Sequence, residues 1–146
     1  MTAPLLRATI VMYHYVRRLA GSRFPRLTAL DLDAFRGQLA FMRRHYHPVS
    51  LTDLVAASSG LGELPPRAIA LTFDDGYIEH YREVFPLLAE LNMPATFFLV
   101  SSSLIERQLL DVNKIQFILA ARDAEAIAAS IDQAVDRECG RADVKP

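Results

Sequence analysis

Arg67-Ala68-Ile69-Ala70-Leu71-Thr72-Phe73-Asp74-Asp75-Gly76-Tyr77 is the stretch on which the fold turns. Its first part is a nearly continuous apolar run, the pattern of a strand covered on both faces as in a parallel sheet. Two acids stand where that strand runs into a loop, the edge at which α/β folds build their sites. Over residues 77–92, Tyr81, Val84, Phe85, Leu88 and Leu91 lie on one stripe and predict a crossover helix, with Pro86 inside it as a point of delayed start or kink. Pro94 ends that segment, and residues 95–100 (ATFFLV) read as another buried strand. Strand, helix, strand in this order is a right-handed βαβ unit.

Working outward, residues 8–13 (ATIVMY) form a short, β-branched apolar run that predicts the first strand. Asp31 precedes a segment in which Leu32, Phe35, Leu39 and Met42 recur at helical spacing, ending in a basic last turn. A further strand is expected at 47–50, and a short helix at 53–57 capped by Ser50 or Thr52. The breaker-rich loop SSGLGELPP then leads into the central strand. Residues 104–121 and 123–138 predict two helices, the second with Ile127, Ile131 and Val135 on one side. The expectation is one α/β domain over 1–146, with the strands and their helices in 1–100 and a helical segment in 101–146.

Composition narrows the function. The chain has 146 residues, 51% hydrophobic and 23% charged, which excludes intrinsic disorder. A formal charge of −1 offers no footprint for a phosphate backbone, so nucleic acid is not an expected partner. No apolar run approaches the ~18 residues of a membrane span. Arg7 interrupts the apolar start of the chain, so no secretion signal is read there and a cytoplasmic location is expected. The single cysteine, Cys139, makes neither an internal disulfide nor a zinc pair.

Adjacent carboxylates at one strand end repel, and a divalent cation would remove that penalty. One acid then serves as metal ligand and the other as base for a polarised water. A plain Asp-Gly turn with solvated acids accounts for the same string. A magnesium-dependent phosphoryl-transfer site would need a third acid and a strand-end lysine that the sequence does not place there. Of the histidines, His14 ends the first strand on the same rim as the acids, where contact with substrate or support behind the metal ligands competes with a hydrogen-bonded structural role, and His80 falls one turn after them. His45 and His47 lie two apart and face different ways. Ser101, Ser102 and Ser103 have no nucleophile elbow around them and read as a helix cap.

TFDDGY after AIAL, followed by a helix and MPATFFLV, closely resembles the first motif of the polysaccharide deacetylases, the NodB-homology proteins of carbohydrate esterase family four. MYHYV upstream resembles that family's first strand, and LLDVNKIQFILA a helical insertion found in one of its branches. The resemblance implies a divalent-metal hydrolase, using zinc, cobalt or a similar ion, that removes N- or O-acetyl groups from a carbohydrate on a distorted, shortened (β/α) barrel. By position Asp74 matches the catalytic base, Asp75 the metal-binding aspartate and Gly76 the turn, while Tyr77 closes the turn and contacts sugar. The family's second motif, a pair of histidines reading like HSxxHP, is absent from the sequence, as are its later motifs. The metal is therefore expected to be weakly held, with His14 or His80 as the available substitute ligand. About half the strands of a barrel are present, so the chain reads as the N-terminal portion of such a domain. Its open edge favours self-association or a complementary C-terminal chain. The competing reading is a non-catalytic α/β module binding glycan or a partner, or an inactive fragment.

Overall fold

The computed structural model describes residues 7–142. Its elements in chain order are β1 (Ala8–Tyr13), β2 (Val16–Arg17), β3 (Leu30–Asp31), α1 (Leu32–His45), β4 (His47–Pro48), α2 (Leu51–Ser58), β5 (Ala68–Phe73), a π-helical turn (His80–Val84), α3 (Phe85–Glu90), β6 (Ala95–Phe97), α4 (Ser101–Ile105), α5 (Asp111–Ala121) and α6 (Ala124–Ala142).

The apolar run at 68–73 is the interior strand of a four-stranded parallel sheet, and all six of its residues are buried. β1 pairs with it along its full length, from Ala8 opposite Ala68 to Tyr13 opposite Phe73. The other edge is shared. β4 takes the beginning, opposite Ala68 and Ile69, and β6 takes the end, opposite Leu71 to Phe73. The α/β class expected from the sequence is therefore what forms, with every strand of this sheet parallel.

Alternation along β5 divides the core in two. Ile69, Leu71 and Phe73 join Val11 and Tyr13 under α1 and α3, against Phe35, Leu39, Val84 and Leu88. Ala68 and Ala70 point the other way and meet Val49 and Leu54 beside α2. On that second face Ile10 and Met12, opposite Ala70 and Thr72, are 58% and 60% exposed. Helix α1 buries the four residues its spacing marks, Leu32, Phe35, Leu39 and Met42. Asp31 caps it, its Oδ1 accepting from Asp33 N–H at 3.0 Å while Oδ2 accepts from Leu19 N–H at 3.1 Å. These backbone donors hold the Asp31 carboxyl below the usual aspartate range. The Ser50–Asp53 capping box starts α2.

Four sequence expectations are corrected. The crossover helix is not one α-helix: residues 80–84 widen into a π-turn in which Phe85 N–H reaches the His80 carbonyl, five residues back. Pro86 has no N–H to give and its ring would crowd the carbonyl four residues earlier, so the wider turn absorbs it before α3 begins. The predicted 104–121 helix breaks into α4 and α5 around Arg107, whose φ of +53° no helix accommodates. Ser101 is inside α4 rather than its cap, which is Val100 and lacks a side-chain bond. The β6 ladder ends at Phe97, although Phe98 N–H still reaches the Phe73 carbonyl at 2.7 Å.

The two-residue pair β2–β3, unanticipated from sequence, organises a third small core. Tyr15, Leu27 and Ala120 are buried there with Phe24, Tyr77 and Phe117 around them. Arg26 fastens it, its Nε donating to the Ala120 carbonyl at 3.1 Å and Nη1 to Asp123 at 2.9 Å.

Phe35 is fully buried and meets Tyr13 and Phe73 edge-on, with ring centroids 5.2 and 6.0 Å apart. Phe35→Ala is expected to cost about 3–5 kcal/mol in urea denaturation, against about 0.5 kcal/mol or less for Ile10→Ala on the open face. His80 gives a second test. Its ring is buried and donates from Nε2 to the His14 carbonyl at 2.7 Å. Burial lowers its pKa below the ordinary 6.5, the His14 carbonyl opposing this only in part. The unfolded chain therefore takes up the proton first, so stability is full above about pH 6.5 and declines as pH falls below it. Urea midpoints at about pH 7.5 and about pH 5.5 should differ in the wild type, and less in His80→Gln, which keeps an N–H for the carbonyl.

Candidate active site

Asp74 begins where the β5 ladder closes: its N–H donates to the Tyr13 carbonyl at 2.9 Å, the last rung between β1 and β5. Asp75 and Gly76 then both adopt left-handed backbone, with φ of +72° and +66°. Aspartate tolerates this conformation better than most residues, and glycine adopts it freely. A Cβ at Gly76 would sit 2.5 Å from Leu99 Cδ2, so the turn is also closely packed. Both acids are half-buried and line, with Met12, Thr72, Phe98, Leu99 and Val100, a cleft of about 420 Å³ at the C-terminal end of the sheet.

The turn carries its own brace. Tyr77 Oη lies 2.6 Å from Asp75 Oδ2, to which it donates, and 2.9 Å from the Asn113 amide oxygen of α5. One phenolic proton serves only one acceptor. With that proton on Asp75, the Asn113 amide satisfies the phenol in its other orientation, with its NH2 donating to Oη. Asn113 is buried, and the Tyr77 ring stacks on Tyr15 at 4.1 Å. Burial, reinforced by the bond to Asp75, pushes the Tyr77 phenol far above its ordinary pKa, so it stays a donor. Burial raises Tyr15 as well. Arg17 pairs with Glu79 and lies over the Tyr15 and Phe117 rings at 5.5 and 6.0 Å, closing the flank of the turn.

Of the residues singled out in the sequence, Asp74, Asp75, Gly76 and Tyr77 come together. The two histidines take other places. His80 spends Nε2 on the His14 carbonyl, and its Nδ1 is buried without a protein partner. The His14 side chain is exposed, and its part in the site is played by its backbone oxygen. Among the described residues no three His, Cys, Asp or Glu side chains converge. The described residues thus do not make up a coordination set for the divalent ion that the resemblance implies. Asn113 and Tyr15 are site residues that sequence reasoning passed over. The available signal for Asn113 was an amide placed one turn before Phe117 on the face of α5 that turns inward.

The polysaccharide deacetylase family profile matches residues 62–137, just over half of the chain. Poly-beta-1,6-N-acetyl-D-glucosamine N-deacetylase of Escherichia coli (strain K12) is 37% identical over 93 residues, which are 63% of this chain and 14% of that protein. The solved de-N-acetylase from Aggregatibacter actinomycetemcomitans superposes with a TM-score of 0.60 at 30% identity, covering 70% of this chain and 42% of that one. A Streptococcus pyogenes deacetylase, PplD, solved with acetate, superposes with a TM-score of 0.60 at 21% identity over 79% of this chain and 53% of that one, a likeness of fold alone. The chain therefore spans well under half the length of the first two relatives. The acid turn stands at the C-terminal edge of a parallel sheet, and both sequence and fold match this family around it, so the chain belongs to the polysaccharide deacetylases.

Proposed function

We propose that this chain takes part in hydrolytic removal of acetyl groups from an amino-sugar polymer, with N-acetylglucosamine units as the first substrate to test. The observation that carries the reading is the Asp74-Asp75-Gly76-Tyr77 turn, held at the C-terminal edge of the sheet by Tyr13 and Leu99 and braced by the Tyr77–Asp75 bond. The E. coli relative, named as an N-deacetylase of such a polymer, points to the substrate class and to the amide over the ester.

Asp74 is the base of this proposal. A carboxylate at the cleft wall accepts the proton of a water molecule as that water adds to the acetyl carbonyl, and the proton then passes to the departing amine. Asp75 has a different task because Tyr77 holds its carboxylate in one orientation, as suits a ligand. A divalent ion bound there would polarise the acetyl carbonyl. Asp75 is one ligand, and three protein ligands are usual for catalytic zinc. With one such ligand in place, binding by this chain is expected to be weak. The exposed Ile10, Met12 and Phe98 beside the cleft also favour self-association or a complementary chain over this face.

Acetate release from β-1,6-linked N-acetylglucosamine oligomers, followed at high chain concentration with added zinc or cobalt, tests the reading. Asp74→Asn should lower the rate by about 100-fold to 10,000-fold. Release that is equal in wild type and Asp74→Asn, or none in the wild type, would overturn it, leaving a glycan-binding module to be sought by calorimetry with the same oligomers. Calorimetry with zinc or cobalt alone should show weak binding that disappears in Asp75→Ala. Binding that survives the substitution would place the ion elsewhere.

A further inference from the structure

The helical segment that follows β6 reaches the acid turn through one side chain. Helix α5 presents Asn113, Phe117 and Ala120 on a single face, at helical spacings of four and three residues. Ala120 is buried against Tyr15 and Leu27, Phe117 meets the Phe24 ring at 4.8 Å, and Arg26 clasps the end of the helix. Those contacts fix the helix. Asn113 adds nothing comparable to apolar packing, yet it is buried and its amide ends 2.9 Å from Tyr77 Oη. A buried amide is costly unless its partners are in place. Its partner here is the phenol that holds Asp75.

We propose that Asn113 is a positioning residue for the deacetylase reaction: through Tyr77 it fixes the Asp75 carboxylate, so the docking of α5 sets the geometry of the acid turn. The inference rests on the deacetylase reading of Asp75 and adds a dependence on the helical segment that the acid turn alone does not require. The chain of contacts runs Asn113, Tyr77, Asp75, and each link is a single hydrogen bond. With the amide donating to Oη, the phenolic proton is committed to Asp75. Without it, Oη loses the amide donor and keeps beside it the Tyr15 hydroxyl, which is free to donate or to accept, so the phenolic proton is no longer committed to Asp75. Outer-shell partners of this kind typically matter by about 10-fold to 100-fold in activity.

Asn113→Asp separates positioning from packing. The substitution keeps the shape and removes the NH2 donor. It also places an acid at the third residue of α5, where the helix dipole favours one. A merely structural role predicts a lower thermal midpoint, because the new carboxyl is buried, with the Asp75 carboxylate undisturbed. Positioning predicts that, whatever the thermal midpoint does, the carboxyl-carbon NMR resonance of Asp75 moves, in a chain carrying isotope-labelled aspartate and with that resonance assigned by its loss in Asp75→Asn. Tyr77→Phe should move the resonance as well, and adding Asn113→Asp to it should change nothing further. Ile115→Ala, on the outer face of the same helix, should leave it in place. In acetate release, Asn113→Asp should lower kcat by about 10-fold to 100-fold with KM nearly constant. An Asp75 resonance at its wild-type position in Asn113→Asp overturns the proposal. If the wild type releases no acetate while the resonance still moves, the deacetylase reading fails and the coupling of α5 to Asp75 stands.

Discussion

The hydrogen bond from Asp74 N–H to the Tyr13 carbonyl is the rung on which the upper end of the molecule depends. It closes the β1–β5 ladder in a register where Ile69, Leu71 and Phe73 face α1 and α3 while Ala68, Ala70 and Thr72 face the other side. Side chains alternate with a period of two, so a slip of one residue would turn three large buried groups out of the core. The stacked series Tyr13, Phe73 and Phe97, each pair about 5.0 Å between ring centroids, resists that slip across three strands. Burial pushes the Tyr13 phenol up to about 12. Its hydroxyl still reaches Gln38 Oε1 at 2.8 Å, which ties the same rung to α1. The position of Asp74 is thus set by core packing, and the loop after it inherits a fixed starting point.

From that point two left-handed residues reverse the chain, and the turn is held from both sides. Leu99 fills the space a Cβ at Gly76 would need, while Tyr77 folds back onto Asp75. Two neighbouring carboxylates on a buried strand end would ordinarily seek solvent or a cation. Here both line the cleft, but one of them receives a committed phenolic proton and the other does not. The asymmetry arises because, of the two acids, the one two positions before Tyr77 is the one its hydroxyl meets.

Much of this was legible in the sequence, and the parts that were not share a physical cause. The continuous apolar run at 68–73 announced an interior parallel strand, and the stripe Leu32, Phe35, Leu39, Met42 announced the buried face of α1, because burial imposes a period that single residues report. The Asp-Asp-Gly turn was legible because left-handed backbone restricts residue type. The β2–β3 pair was not, since two residues carry no period. The π-turn was not, since the same stripe of apolar residues fits α and π windings and only the missing N–H of Pro86 distinguishes them. His80, one turn after the acids, reads as an available ligand because sequence shows neither its burial nor its bond to a main-chain carbonyl. The Tyr77–Asn113 contact spans 36 residues and depends on how α5 docks, which no local pattern encodes.

The docking of α5 also explains why a helical segment outside the sheet bears on the turn at all. Its inner face meets Tyr15, Arg17 and the loop that follows β2 through Phe117, Ala120 and the Arg26 clasp, and Tyr77 belongs to the same cluster. Its outer face, with Ile115, Ile118 and Leu119, instead joins Ile127 and Ile131 of α6 around an apolar cleft of about 640 Å³. The two faces impose different constraints. The inner one is closed by aromatic stacking, a guanidinium and a buried amide, which together admit one orientation of the helix. The outer one is half-exposed and apolar, so it restrains α6 without directing it. The contacts of the inner face therefore set where the Asn113 amide meets Tyr77.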